Sequence, residues 1–275
     1  MTIQEIIRAA LREDLGARGD VTTRFFVPSG ARLCGKIIAK APGVVCGADI
    51  ARKVFLAVSP SCRVQVKTQD GRPVKPGQVV MEVAGGPKIL TTERTALNFL
   101  QHLSGVATLT ALYVRETSGT KAKILDTRKT LPGWRELEKY AVRCGGGKNH
   151  RMGLYDAVLL KDNHWSLNRH ISDAVVQVRR RYPKMTIEIE AANLGQVERA
   201  LQARADIILL DNMTPALIRR AIRAIRKQKP STLIEISGGV SLKNVRALAR
   251  LGPDRISIGR ITHSAPALDM SLEIK

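Results

Sequence analysis

Six apolar runs in the second half of the sequence each lead to residues that can do ionic chemistry. AKIL leads to Asp126, Arg128 and Lys129, AVLL to Lys161 and Asp162, IEI to Glu190, IILL to Asp211, LIEI to Ser237-Gly238-Gly239, and ISI to Gly259. Arg128, Lys129, Arg151 and Lys161 form a cationic set suited to carboxylates and phosphates, since Arg grips a planar carboxylate through two parallel bonds and Lys acts as a point charge. Glu190 and Asp211 only accept hydrogen bonds, which fits them to sugar hydroxyls or to the waters of a Mg²⁺ ion. The SGG turn and the GRITHS stretch end late runs, where backbone N–H groups cradle a phosphate in many barrels. Together these residues describe a phosphorylated sugar meeting a polyanionic acid.

For such scattered residues to share one site, the runs must be strands whose tips converge. From about Ala122 the chain repeats an apolar run, a polar tip and an amphipathic helix. Helix starts are predicted at Ser166, at Thr214-Pro215 and at Ser241, the last helix ending at Gly252. Alternating strands and helices with short connections imply a parallel sheet, and six units without a G-x-G-x-x-G turn favour an α/β barrel over a dinucleotide-binding sheet. The first 110 residues follow a different pattern. A leading amphipathic helix precedes short strand-like pieces punctuated by PSGA, KAPG, QDGR and KPGQ, and Thr92 is expected to cap a long helix through Leu97, Leu100 and Leu103. The division is therefore residues 1–110, an α/β sandwich, and 111–275, the barrel, with the C-terminal tail free to return to the first domain.

The 275 residues are 44% hydrophobic, enough for a true core, and Lys+Arg 45 against Asp+Glu 24 leave a net charge of +21 that calls for an anionic partner. Cys34, Cys46, Cys62 and Cys144 lack zinc spacing and read as small buried hydrophobes. With no signal-like stretch at the start and no window near the roughly 18 apolar residues of a membrane span, a cytoplasmic protein is expected. RRAIRAIRKQK reads as a solvated basic helix face rather than a nucleic-acid contact, because no aromatic residue interleaves it.

The segments TERTALNFLQHLSGVATLT, LDTRKTLPGWRELEKYAVRCGGGKNHRMGLYDAVLLKDNH, IILLDNM, ISGGVSLKNV and ITHSAPALDMSLEI closely resemble the quinolinate phosphoribosyltransferase family. The resemblance covers nearly the whole chain. It implies transfer of phosphoribosyl from phosphoribosyl pyrophosphate (PRPP) to quinolinate with Mg²⁺, releasing pyrophosphate and CO₂ and leaving nicotinate mononucleotide for NAD synthesis. It implies an N-terminal α/β sandwich and an open, irregular barrel, in a homodimer with intersubunit sites that can assemble further into a hexamer. By motif position it puts Arg94, Arg128, His150, Arg151 and Lys161 on quinolinate. Thr127, Lys129, Glu190, Asp211, Ser237, Gly238, Gly239, Ile258, Gly259 and His263 fall on PRPP, with Lys129, Glu190 and Asp211 as catalytic residues and the two carboxylates near the metal.

The usual E-V-E-V-x-N segment reads E-I-E-A-A-N here, and Lys148 and Arg260 add positive charge. A relative encoded with molybdate-transport genes shares the TRK and GG…HR elements but tends to lose KDNH, which this chain keeps at 161–164. A nicotinate-using enzyme would need fewer cations for its single carboxylate. Glu188 lies two residues deeper than Glu190 on the same strand face, where a carboxylate must be paired; a barrel cation such as Lys161 is its expected partner. His102, His164 and His170 are read as packing or capping residues.

Overall fold

The computed structural model describes residues 2–167 and 170–274. Its elements begin with α1 (Ile3–Leu15), α2 (Val21–Phe26), β1 (Leu33–Ala39), β2 (Gly43–Val44), α3 (Ala48–Val58), β3 (Arg63–Val66), β4 (Pro73–Val74), β5 (Val79–Gly85) and α4 (Lys88–Glu116). They continue with β6 (Lys123–Leu125), α5 (Arg135–Cys144), β7 (Ala157–Leu160), α6 (Asp162–Leu167), α7 (Ile171–Arg181), β8 (Thr186–Ala191), α8 (Leu194–Gln202) and β9 (Ile207–Asp211). The last are α9 (Pro215–Gln228), β10 (Leu233–Ser237), α10 (Val245–Ala249), β11 (Arg255–Ser257), α11 (Arg260–His263) and β12 (Met270–Ile274).

The chain divides into two compact units. The first takes residues 1–111, 130–146 and 261–275, and the second takes 112–129 and 147–260. Two segments beyond residue 110, those carrying α5 and β12, thus pack with the first unit.

In the first unit an antiparallel sheet has the order β12-β1-β5-β3. α1 starts on a reciprocal cap in which Thr2 Oγ1 accepts from Glu5 N and Glu5 Oε2 accepts from Thr2 N. Asp14 accepts from Thr95 Oγ1 and Asp20 from Thr91 Oγ1, which ties the first two helices to α4. Thr92, expected as the helix cap, lies inside α4; its hydroxyl donates to the carbonyls of Lys88 and Ile89, because the apolar stripe already begins at the buried Ile89. His102 Nε2 sits 2.8 Å from the buried Glu138 Oε1 with its ring edge-on to Trp134, the packing role read for it. Cys46 and Cys62 are buried, but Cys34 is exposed and Cys144 partly so, which corrects the reading of all four as core.

The second unit is built on a six-stranded sheet in the order β6-β11-β10-β9-β8-β7, each described pair parallel. All six apolar runs are its strands. β6 and β7 stand at the two ends, so the barrel is open between them. At the strand starts, Asp206 accepts from Ile187 N and Asp254 from Ile234 N, each aspartate clamping the neighbouring strand. α9 begins at Thr214, which accepts from Leu217 N ahead of Pro215; it buries Ile218, Ala221, Ile222 and Ile225. Ser166 belongs to α6 and the next helix starts after His170; Asn168 and Arg169 between them lie outside the described residues. Ser241 opens a turn instead, its N–H donating to Asn244 Oδ1, and α10 follows Asn244.

Candidate active site

Strand register sets the tips at comparable heights. Asp211 pairs with Ser237, Glu190 with Leu209, and Leu125 with Ser257, so the chain leaves each strand at nearly one level. Just beyond β6, the fully buried Asp126 pins a segment more than twenty residues further along the chain. Its Oδ1 accepts from His150 N at 2.8 Å and its Oδ2 from Asn149 Nδ2 at 2.5 Å, while Lys148 N donates to Ile124 O. Residues 148–150 are thereby laid along the outer edge of β6. Arg151 Nη1 then donates to Ala157 O at the start of β7, so the KNHR segment straps across the gap between the end strands.

Arg128 meets Arg151 of this strap. Arg128 and Arg151 are half-buried, and burial, followed by the charge of Arg128, lowers the pKa of Arg151. Two guanidinium groups so placed favour a shared anion. Lys129 is exposed, its N–H donating to Thr127 Oγ1. Lys161 is half-exposed, its Nζ 4.0 Å from Glu190 Oε2, and its N–H donates to Nδ1 of the exposed His164. Trp165 Nε1 holds the Glu190 carbonyl at 2.8 Å.

Burial and the neighbouring Asp211 push the Glu190 carboxyl above the ordinary range, against the pull of Lys161. Asp211 is oriented by Asn212, whose Nδ2 donates to its Oδ2 at 2.6 Å. Asn212 adopts a left-handed φ of 51° and donates its N–H to Ser237 O. Residue 238 must be glycine: its φ is 84°, and a Cβ there would collide with the Asn212 side chain. Gly239, also left-handed, gives its carbonyl to Asn244 Nδ2. Ile258 is buried and Gly259 follows it at the β11 tip.

Glu188 is paired, but not with Lys161. Its Oε2 lies 3.1 Å from His150 Nε2, and Glu235 Oε1 lies 3.4 Å from the same nitrogen, with Arg255 Nη1 3.9 Å from Glu235 Oε2. Lys161 cannot reach this depth, because it leaves its strand one residue beyond the level of Ile189. Both glutamates are buried, and burial together with the charge of Glu235 raises the Glu188 pKa. Burial alone would discharge His150, but its bonds to Glu188 and Glu235 outweigh that and push its pKa up to about 10. Nδ1 of the ring is 2.8 Å from Arg151 N, a contact suited to the neutral ring; two buried carboxylates outweigh one amide dipole.

Sequence reasoning missed Glu235. The signal was an acidic residue inside LIEIS in the same alternation as IEIE, hidden because only the tip of that run was read for chemistry. Of the predicted residues, those from Thr127 to Gly259 are in the second unit. Arg94, exposed on α4, and His263, exposed with Nδ1 2.6 Å from Ser264 Oγ, belong to the first.

The family model described as the C-terminal domain of quinolinate phosphoribosyl transferase matches residues 106–273, and that for the N-terminal domain matches 20–104. The chain is 42% identical over 279 residues to the carboxylating nicotinate-nucleotide pyrophosphorylase of Mycobacterium leprae, covering 98% of this chain and 96% of that one. A probable enzyme of the same name from Synechocystis is 41% identical over 268 residues, covering 96% and 90%. The crystal structure of the nicotinate-nucleotide pyrophosphorylase from Ehrlichia chaffeensis superposes with a TM-score of 0.94 at 38% identity, covering 100% of this chain and 99% of that one.

Proposed function

Because the chain belongs to the quinolinate phosphoribosyltransferase family, we propose that the strand tips of its second unit are the active site. The reaction is transfer of phosphoribosyl from PRPP to quinolinate with decarboxylation, giving nicotinate mononucleotide, CO₂ and pyrophosphate in NAD biosynthesis. The observation that carries the site assignment is the approach of Arg128 to Arg151, two half-buried guanidinium groups whose like charges act on each other and suit an anionic acid.

Quinolinate and PRPP repel each other, and a preformed cationic wall offsets that repulsion in a pocket of low dielectric. Arg128, Arg151 and Lys161 take the quinolinate carboxylates. His150, its charge resting on Glu188 and Glu235, is placed on quinolinate with them. Ser237, Gly238, Gly239, Ile258 and Gly259 offer backbone groups to the phosphate, Thr127 shapes the turn, and Lys129 meets the pyrophosphate as it leaves. The pyridine nitrogen is the nucleophile. Glu190 and Asp211 hold the ribose hydroxyls and favour positive charge growing at the anomeric carbon. Decarboxylation follows at the cationic ring.

Mg²⁺ would suit this donor set, two hard carboxylates whose proximity, together with burial, raises the Glu190 pKa. Glu190 and Asp211 would hold the ion through water, and once bound it neutralises pyrophosphate charge. No described helix is long and apolar enough to cross a membrane, and we place the enzyme in the cytoplasm.

Nicotinate mononucleotide should form from quinolinate plus PRPP but not from nicotinate plus PRPP, because a single carboxylate leaves part of the cationic set desolvated and unmatched. Equal rates on the two acids would overturn the assignment. We also place Arg94 on the quinolinate of a neighbouring subunit, and His263 at PRPP. Arg94→Ala and Lys129→Ala should each be nearly inactive as pure homodimers. Each mixed dimer then holds one doubly damaged and one intact site, and co-refolding should restore up to about half of wild-type activity per heterodimer. Heterodimers confirmed by mass but inactive would put Arg94 in its own chain's site.

A further inference from the structure

One cluster of nucleophilic side chains has no part in phosphoribosyl transfer. In the first unit, Cys46, Asp70 and Cys144 bring their Sγ and carboxylate atoms within 4.8 Å of one another. Cys46 is fully buried in the loop between β2 and α3, and Cys144 closes α5 and is partly exposed. The frame around them is fixed. Ser104 Oγ accepts from Cys46 N and donates to Cys46 O, while Asp70 accepts from Gly47 N, Ala48 N and the Tyr140 hydroxyl.

Two thiols at this separation can bind a soft cation or join to each other. Asp70 already serves three donors, which leaves it little capacity for a cation; its charge raises both thiol pKa values and the Arg143 charge opposes it at both sulfurs. The hydrogen bond between the sulfurs lowers the Cys144 pKa and raises that of Cys46. The more accessible sulfur is therefore the more acidic one.

We propose that Cys46 and Cys144 are a reversible dithiol–disulfide pair that small-molecule disulfides oxidise. The Cys144 thiolate attacks one sulfur of oxidised glutathione, forming a mixed disulfide and expelling a glutathione thiolate. Cys46 gives its proton to that thiolate and attacks the Cys144 sulfur, expelling the second glutathione thiolate. Two electrons pass from the pair to glutathione disulfide. The sulfurs, within 4.8 Å of each other, close to about 2.05 Å.

The test uses the full-length Cys34→Ser protein, which lacks the exposed thiol, incubated with oxidised glutathione and then mapped by peptide mass. A Cys46–Cys144 linkage with the loss of two hydrogens, reversed by dithiothreitol, is expected. In the added Cys46→Ser variant, glutathione should stay trapped on Cys144. A stable glutathione adduct on Cys144 with Cys46 intact would overturn the pairing, as would no reaction at either sulfur while Cys34 reacts in the unmodified sequence. One equivalent of Zn²⁺ retained through dialysis and blocking oxidation would make the cluster a metal site instead.

Discussion

Glu190→Gln should lower kcat by about 10²- to 10³-fold while quinolinate binding, measured by calorimetry, changes little, the cost typical of losing one group aimed at transition-state charge. Asp211→Asn should behave alike, since we place both carboxylates on the ribose and assign the acid to cations on other segments. Glu188→Gln should leave a larger share of kcat, its carboxylate being buried beneath the site on His150. The two tips are also coupled. Asp211 helps hold the Glu190 carboxyl above its ordinary range, so activity should fall on the acid side as Glu190 takes up a proton. Removing the Asp211 charge lowers the Glu190 pKa, and the acid limb of the residual activity in Asp211→Asn should move to lower pH. An unmoved limb would separate Glu190 from that limb.

His150→Ala should destabilise the protein by about 3–5 kcal/mol, as expected when one partner leaves a buried ionic cluster. Glu188 and Glu235 would stay buried facing each other, with Arg255 3.9 Å from Glu235 and the Arg151 charge acting on Glu188. The folded ring holds its proton up to about 10 against an ordinary 6.5. Its contribution is therefore complete below about pH 6.5 and fades as pH rises through 10, by linkage. Urea unfolding from pH 6 to 10 should show that decline in the wild type and a flatter profile in His150→Ala. Adding Glu235→Gln should recover part of the loss, because the like charge facing Glu188 is gone. If the single and double variants were equally unstable, the imidazole would be acting through packing alone.

The six strands were legible because each is an apolar run bounded by polar tips. Pairing below the mouth was not legible. Glu188 was matched with Lys161 on charge and strand alone, whereas its partner His150 comes from a loop that Asp126 pins beside another strand. Strand order and loop course decide such contacts, and neither is a local property of IEIE or KNHR. Thr92 misled because a Thr before an apolar stripe also sits well inside a helix when its hydroxyl can bond back to the preceding turn. The association of α5 with the first unit depends on long-range packing that no single segment announces.

Strand order also divides the mouth into a stiff half and a pliant half. β8, β9 and β10, which carry Glu190, Asp211 and Ser237, each have strands on both sides. Their amide hydrogens should exchange slowly with solvent. Arg128 and Lys129 follow β6, and Lys161 follows β7, the end strands bridged by the KNHR strap. Amides there should exchange faster, as befits the less cooperative margin of a sheet. An acid gripped by Arg128 on one side and Lys161 on the other would act as a clasp on a ring that the backbone leaves undone. Quinolinate should therefore slow exchange in β6 and β7 far more than in β9, and the sugar phosphate would meet a surface that was already rigid.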